Sequence, residues 1–410
     1  MSVKESPRFW GAAAAGAAGL AGGVVLAAAV GVARAAARVD RGTDFPVAVL
    51  RLEAAHTPGG RARVWLTGAG VSAPGRHSLL FDAPGTPHPR PDRTEARGHA
   101  RLGPVVARSG GAVAREVLGV DRGSLEAGCS GRMVGWWYAS PDELGYRVEE
   151  ITYESELGPM GAWIVHPRRS WRPRGRRWAI HMHGRGASPA ETFRGIEPFA
   201  HAGITSLIVR YRNDEGEPEG LNGRYGMGLS ESRDLDAAIA AVRARGAERV
   251  TLVGWSMGGT ASLVSATRGV HRDVIDGLVL DSPGVDWSSI IRAHTRESRV
   301  PGWIADLGMR LLAHGCVASG EPGGIDLGTL TPAVFASGLE VPVLLLASPD
   351  DRYVSWDGAR ELARLRPELV QFASIPGAGH VRLWNTDPEK WEETVLGFVS
   401  ALPKPGWRGQ

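Results

Sequence analysis

From Tyr146 to Leu402, short runs rich in Val, Ile and Leu alternate with segments whose apolar residues recur at helical spacing. The strand-like runs are Trp178 to His183, Ile204 to Arg210, Val250 to Val253, Val274 to Leu280, Val341 to Ala347 and Val370 to Ile375. Helical patterns fall between and after them, at about Pro189 to Ala200, Ser230 to Arg245, Trp356 to Arg364 and Pro388 to Leu402. Few architectures accept such an order. It predicts an α/β fold with a doubly wound, mostly parallel sheet covered on both faces. Val148 to Tyr153 and Ala162 to His166 are expected to pair as a hairpin leading into that sheet. Between Pro283 and Leu339 the alternation stops and apolar helical pieces mix with flexible glycines. An insertion there sits over the carboxyl ends of the strands, where ligands bind in such sheets, and is expected to be a lid.

Four places at the ends of predicted strands carry chemistry. The first is Gly254-Trp255-Ser256-Met257-Gly258, directly after the Val250 run and before a small-residue helical pattern. A serine on so tight a strand-to-helix turn needs glycine on both sides, because neighbouring backbone passes close by. The turn lifts the hydroxyl clear of the sheet and sets the Met257 N–H at a helix start, where it can donate to a developing oxyanion. By itself the pattern fits an ordinary capping serine as well. The second is His181-Met182-His183-Gly184-Arg185-Gly186, a glycine turn that can aim the N–H of Arg185 or Gly186 inward. A metal is the competing use for His181 and His183, but no partnering ligand cluster accompanies them. The third is Ser348-Pro349-Asp350-Asp351-Arg352-Tyr353-Val354, where a carboxylate could orient a histidine or simply cap a turn. The fourth is Gly377-Ala378-Gly379-His380, a histidine in a glycine-rich loop after the last strand. Asp281, after the Val274 run, is a further carboxylate, better read as a structural Asp-Ser-Pro turn.

Ahead of residue 146 the texture differs. Val47 to Leu52, Ala62 to Leu66, His77 to Phe81, Val113 to Val120 and Trp136 to Tyr138 are short β-prone runs. Gly and Pro clusters such as Asp82-Ala83-Pro84-Gly85-Thr86-Pro87-His88-Pro89 separate them, which predicts a small β-rich region without a catalytic constellation. Trp136-Trp137-Tyr138 suits core or interface better than a ligand platform. Still earlier, no charge interrupts Gly11 to Ala33, a run long enough to span a bilayer as a helix. Its Ala and Gly content makes insertion marginal, and a cleaved signal peptide is the rival reading. The expectation is a single uncleaved membrane anchor of undetermined orientation. Net charge is only +3 at a pI near 9.1, with no basic block, so no nucleic-acid partner is expected. Cys129 and Cys316 are the only cysteines, too few for a disulfide framework or a cysteine-rich zinc site, although one bridge between them stays open.

Taken together, the four motifs resemble those of the α/β-hydrolase superfamily, in particular its dienelactone-hydrolase-like and prolyl-oligopeptidase-like serine hydrolases. His183-Gly184 matches the oxyanion turn, Gly254 to Gly258 the nucleophile elbow, and Gly379-His380 the histidine loop. The acid turn, usually Gly-x-x-Asp-x-x-Val, matches Ser348 to Val354 with serine in the glycine's place, and the spacing to Val354 selects Asp351. The resemblance covers about 146 to 402 and implies the order Ser256, Asp351, His380 for the triad. It further implies that His380 is the base for Ser256, that Asp351 sets its tautomer, and that the Met257 and Arg185 N–H groups hold the oxyanion. The expected reaction is hydrolysis of small-molecule carboxylic esters, without cofactor or metal. Peptide hydrolysis, acyl transfer and a non-catalytic binding module are the alternatives. The organisation expected is 1–44 anchor or signal, 45–145 β-rich, 146–402 hydrolase with 283–339 as lid, and 403–410 tail.

Overall fold

The computed structural model describes residues 7–39, 45–55, 59–86, 98–168 and 176–403, with side chains of the first helix from Gly22 onward. The end of the Asp82–Pro89 turn cluster and nearly all of the 403–410 tail lie outside the described residues.

Two sheets organise the chain. The first is a closed antiparallel barrel of six strands, β1 (Val47–Glu53), β2 (Arg63–Gly68), β3 (His77–Asp82), β4 (Gly98–Ser109), β5 (Ala112–Arg122) and β6 (Ser130–Val134), in the order β1-β2-β5-β4-β3-β6. Closure leaves no free edge, and Val49, Leu66, Leu79, Phe81, Leu102 and Val113 fill the interior. Sequence analysis missed β4 and β6. In β4 the Gly103-Pro104 pair breaks alternation, and its pairing with β5 shifts register at several points between His99 and Ala107. Trp136 to Tyr138 is not a strand. Trp137 is buried where the barrel meets the second sheet, its ring 6.0 Å from that of Trp384. That matches its reading as a core or interface residue.

The second sheet comprises β7 (Arg147–Ser155), β8 (Gly158–His166), β9 (Arg177–Met182), β10 (Thr205–Val209), β11 (Arg249–Trp255), β12 (Ile275–Asp281), β13 (Val343–Ala347) and β14 (Val370–Ser374). Their order is β14-β13-β12-β11-β9-β10-β8-β7. β7 and β8 form the expected hairpin, with Val148 opposite Val165, and the strands from β9 onward run parallel. β10, β12 and β13 are buried along their whole length, which explains the apolar runs Leu207 to Val209, Leu278 to Leu280 and Val343 to Ala347 within them. Chain order reverses at β9, which has β10 on one side and β11 on the other. A crevice opens at such a reversal, so the turns after β9 and β11 are brought side by side.

Helices flank this sheet: α1 (Pro7–Ala37), α2 (Ala190–Phe193), α3 (Glu197–His201), α4 (Leu229–Ala244), α5 (Met257–Arg268), α6 (Trp287–Glu297), α7 (Gly302–Ala313), α8 (Pro332–Gly338), α9 (Asp357–Leu365), α10 (Leu383–Thr386) and α11 (Pro388–Ala401). The 283–339 segment thus contributes three helices. Of these, α8 packs beside α5 and α9, whereas α6 and α7 pack together and α7 meets α1.

The expected membrane anchor is not shown. Among the described residues no helix is long and apolar enough to cross a membrane. The Ala and Gly that keep the run uncharged also keep it weakly apolar, and they suit close helix packing instead. Ala29, Ala33, Ala36 and Ala37 are buried, and Gly308 of α7 lies so close that a Cβ there would come within 2.6 Å of the Ala29 carbonyl. Cys129 is buried and Cys316 exposed, both as free thiols, so the bridge left open by the sequence is not formed.

Candidate active site

Backbone crowding dictates the turn that carries Ser256. A Cβ on Gly254 would fall 2.5 Å from the Gly258 carbonyl, and one on Gly258 would fall 2.3 Å from the Met182 carbonyl. Both glycines are therefore demanded by close approach. Ser256 itself is held at φ 50°, ψ −114°, a strained position for a residue with a side chain. The strain persists because β11 and α5, packed on both sides, leave the turn no alternative.

Three predicted residues from three different loops converge here. The Ser256 Oγ lies 2.8 Å from His380 Nε2, and His380 Nδ1 lies 2.7 Å from Asp351 Oδ2. A carboxylate can only accept, so Nδ1 carries the proton and Nε2 is free to take the serine's. The second oxygen of Asp351 accepts from the N–H groups of Tyr353 and Val354 at 2.8 and 2.9 Å. Asp350 instead accepts from the Gly377 N–H at 2.6 Å, and its carboxylate makes no contact with His380. Ser348, standing where the resemblance has glycine, turns its hydroxyl to accept from the Asp350 N–H at 3.2 Å. It thereby keeps the turn that a glycine would have made.

The turn from Gly184 to Gly186 is fixed from behind. The Gly184 carbonyl accepts from His183 Nδ1 at 2.9 Å and from the Tyr211 hydroxyl at 3.1 Å. Across a trans peptide the N–H opposes the C=O, so pinning that carbonyl turns the Arg185 N–H the other way. The Gly184 N–H goes to Glu191 and the Gly186 N–H to the Tyr225 hydroxyl, at 2.9 and 3.0 Å. Among the described residues, that leaves the Arg185 N–H without a protein partner in this turn. The Met257 N–H, at the first position of α5, lacks an intrahelical partner for the usual geometric reason. Gly184 abuts the nucleophile, since a Cβ there would lie 3.0 Å from the Ser256 Cβ.

Several supporting residues had no signature in the sequence. His183 Nε2 lies 2.9 Å from Asp214 and Nδ1 2.9 Å from the Gly184 carbonyl, so both ring nitrogens face acceptors. Burial pulls its pKa down, but the Asp214 carboxylate more than offsets this and the net shift is upward. His181 points elsewhere, to Ser206, and burial lowers it to about 3. The two imidazoles therefore take separate partners. Among the described residues no three His, Cys, Asp or Glu side chains converge as metal ligands. The Arg185 side chain leaves the site and donates to the Ala35 and Arg38 carbonyls at 2.7 and 2.9 Å, capping the end of α1. Tyr353 leans its ring on His380 at 4.9 Å and is itself covered by His294 of α6 at 4.5 Å. A cavity of about 520 Å³ is lined by Trp136, Trp163 and Gly186 among others, and Ser256, Asp351 and His380 do not line it.

Asp281 does not join Ser256, His380 and Asp351 in their hydrogen-bonded line. It accepts from Trp391 Nε1 and the Ser282 hydroxyl, both at 2.9 Å, and burial raises its pKa to about 6. A carboxyl with a raised folded pKa contributes stability that is complete below its unfolded value near 3.8 and is lost as pH climbs through about 6. The loss is about 3 kcal/mol at neutral pH. The Tm advantage of Asp281→Asn over the parent should therefore grow between pH 4 and 6. Thermal melts showing a constant difference across that range would refute this.

The alpha/beta hydrolase family matches residues 179–394, and a Domain of unknown function (DUF8805) matches residues 54–134. The uncharacterized protein YfhR of Salmonella typhi is 26% identical over 246 residues, spanning 57% of this chain and 74% of that protein. Among solved structures, the Pyrococcus furiosus esterase Pf2001 has a TM-score of 0.49 and 18% identity, covering 65% of this chain and 96% of its own. The Pyrococcus horikoshii acylaminoacyl peptidase has a TM-score of 0.49 and 15% identity, covering 85% of this chain and 55% of its own. With its family match running across more than half of its length, from β9 through α11, this chain belongs to the alpha/beta hydrolase family.

Proposed function

We propose that this protein is a serine hydrolase that cleaves carboxylic esters through an acyl-enzyme on Ser256. What carries the reading is the unbroken line from Asp351 through His380 to Ser256, at 2.7 and 2.8 Å, together with the Arg185 and Met257 N–H groups, which have no hydrogen-bond partner among the described residues. An unassisted hydroxyl is a poor nucleophile at neutral pH, so His380 Nε2 takes the Ser256 proton as Oγ attacks the ester carbonyl. The Arg185 and Met257 N–H groups hold the resulting oxyanion, each worth about 3 kcal/mol in the transition state. The imidazolium, steadied by Asp351, returns the proton to the leaving alcohol. Water then repeats the sequence on the acyl-enzyme, with His380 again as base, and releases the acid.

Within the 283–339 segment the lid role belongs to α6 and α7 rather than α8. α6 reaches the acid turn, where His294 Nε2–H donates to the Tyr353 carbonyl at 2.8 Å. α7 backs α1, whose terminal carbonyls meet Arg185. On this reading α6 and α7 set which acyl chains enter.

A fluorophosphonate probe tests the reading. Native protein should be labelled on the peptide that contains Ser256, and heat-unfolded protein should not. Short-chain activated esters should be turned over, and blocked peptides should not. Absence of native labelling would sink the catalytic reading, whereas kcat/KM higher for peptides than for esters would move it to peptide hydrolysis.

A further inference from the structure

The loop that carries His380 is restrained largely by groups outside the hydrolase sheet. Val381, next to the histidine, sits at φ 48°, a left-handed position that a β-branched residue avoids unless its surroundings force it. Its N–H donates to the Ser282 hydroxyl at 3.2 Å. Its carbonyl accepts from Arg194 at 2.7 Å, and the other end of that buried guanidinium donates to the Gly135 carbonyl, one residue past β6. Gly135 has no room for a side chain, because a Cβ would fall 2.6 Å from the same guanidinium. Arg382 repeats the arrangement from the other flank. It donates to the Met133 carbonyl of β6 at 3.1 Å and to His77 Nδ1 of β3 at 3.3 Å. His77 Nε2 donates to the Pro74 carbonyl, which leaves Nδ1 as the acceptor that Arg382 needs.

We propose that the six-stranded barrel is an intramolecular positioning module for the hydrolase site, holding the His380 loop through the Arg194 and Arg382 guanidinium bridges to β6 and β3. The proposal rests on the serine-hydrolase reading and assigns Arg382 and His77 as positioning residues, since neither touches the reacting atoms. The physical case is one of overdetermination. His380 must meet Ser256 and Asp351 at once, yet it rides on a glycine-rich loop whose own backbone conformation is unfavourable. Two planar guanidinium forks, Arg194 bound to the Gly135 carbonyl just past β6 and Arg382 to the Met133 carbonyl and the His77 ring of the barrel, fix the residues on its carboxyl side. A loop released from one fork would place the imidazole less accurately, and a misplacement of about 1 Å can cost on the order of 100-fold in rate. Ground-state binding of substrate would change little, because neither guanidinium hydrogen-bonds to Ser256, Asp351 or His380.

The test uses the full chain and measures kcat per fluorophosphonate-titrated site, KM and Tm for the parent, Arg382→Met, Arg382→Lys, His77→Phe and Ser256→Ala. Arg382→Met should lower kcat per titrated site by about 10- to 100-fold with KM within about twofold. Arg382→Lys, which can still donate to one of the two acceptors, should recover part of the loss. His77→Phe, a barrel substitution that removes one acceptor while keeping the volume, should lower kcat in the same direction by a smaller factor. If kcat per titrated site stays within twofold of the parent in both Arg382→Met and His77→Phe, the barrel is mere packing and the proposal is overturned, whatever happens to Tm. Should Arg382→Met fail to fold, His77→Phe and Arg382→Lys decide by the same criterion. Labelling that survives Ser256→Ala would overturn the serine-hydrolase reading and, with it, the proposal.

Discussion

Ser256→Ala and His380→Ala should each lower kcat by about a millionfold, and the double variant should be no worse than either. In the proposed mechanism the two side chains act as a unit: the hydroxyl is activated only through the imidazole 2.8 Å away, and the imidazole's later proton transfers require the acyl-enzyme that this hydroxyl forms. Once one is gone, nothing is left for the other to contribute. Residual turnover about a thousandfold or more above water should persist in all three variants, because the Arg185 and Met257 N–H groups remain. The folds should survive. Ser256 is small, its strained backbone is set by the glycines around it, and truncating it leaves no cavity of consequence. The measurement is kcat on one activated ester for the three variants at matched Tm. A double variant slower than either single by anything near the product of the two effects would mean that the residues act independently, which the proposed mechanism does not allow.

The parts of this molecule that the sequence made legible are those in which chemistry follows from local pattern. Strand-helix alternation predicts a parallel sheet because only that architecture buries apolar runs on both faces, and β10, β12 and β13 are indeed buried throughout. Gly254 and Gly258 advertise the elbow because a Cβ at either would collide with backbone. The acid turn is subtler. Ser348 departs from the expected glycine, yet its hydroxyl rebuilds the turn, so the register counted back from Val354 survives.

What stayed illegible depends on partners distant in the chain. Nothing near His183 announces Asp214, and nothing near Arg382 announces Met133, almost 250 residues earlier. Periodicity gives the face an element buries but not what buries it. The Gly11–Ala33 run illustrates the ambiguity: small uncharged residues serve a bilayer or a close helix contact equally, and Gly308 was the missing half of the pattern. Barrel closure was hidden for another reason. β4 pairs through repeated register shifts, so the alternation that marks a strand is broken where the barrel bends.

The sharpest discrimination lies between adjacent aspartates. Asp351→Asn should lower kcat by about 10⁴ while leaving Tm almost unchanged, and Asp350→Asn should stay within a few-fold of the parent. The reasoning follows each oxygen. One Asp351 oxygen accepts from the Tyr353 and Val354 N–H groups, and an asparagine oxygen can do the same, so the turn keeps its shape. The new amide nitrogen then faces His380 Nδ1, where a carboxylate stood at 2.7 Å. Two donors cannot share one hydrogen bond, so the ring moves its proton to Nε2. In that tautomer Nε2 presents N–H to Ser256 and cannot accept the serine proton, and the imidazolium that attack would create has lost its counter-charge. KM should change little, since the carboxylate does not contact substrate. Asp350 holds only the Gly377 N–H at 2.6 Å, a bond that asparagine can also accept. Kinetics of the two variants on the same ester give the ranking directly. If Asp350→Asn were the more damaging, the acid would sit one residue earlier and the Asp351–His380 hydrogen bond would not be the catalytic one.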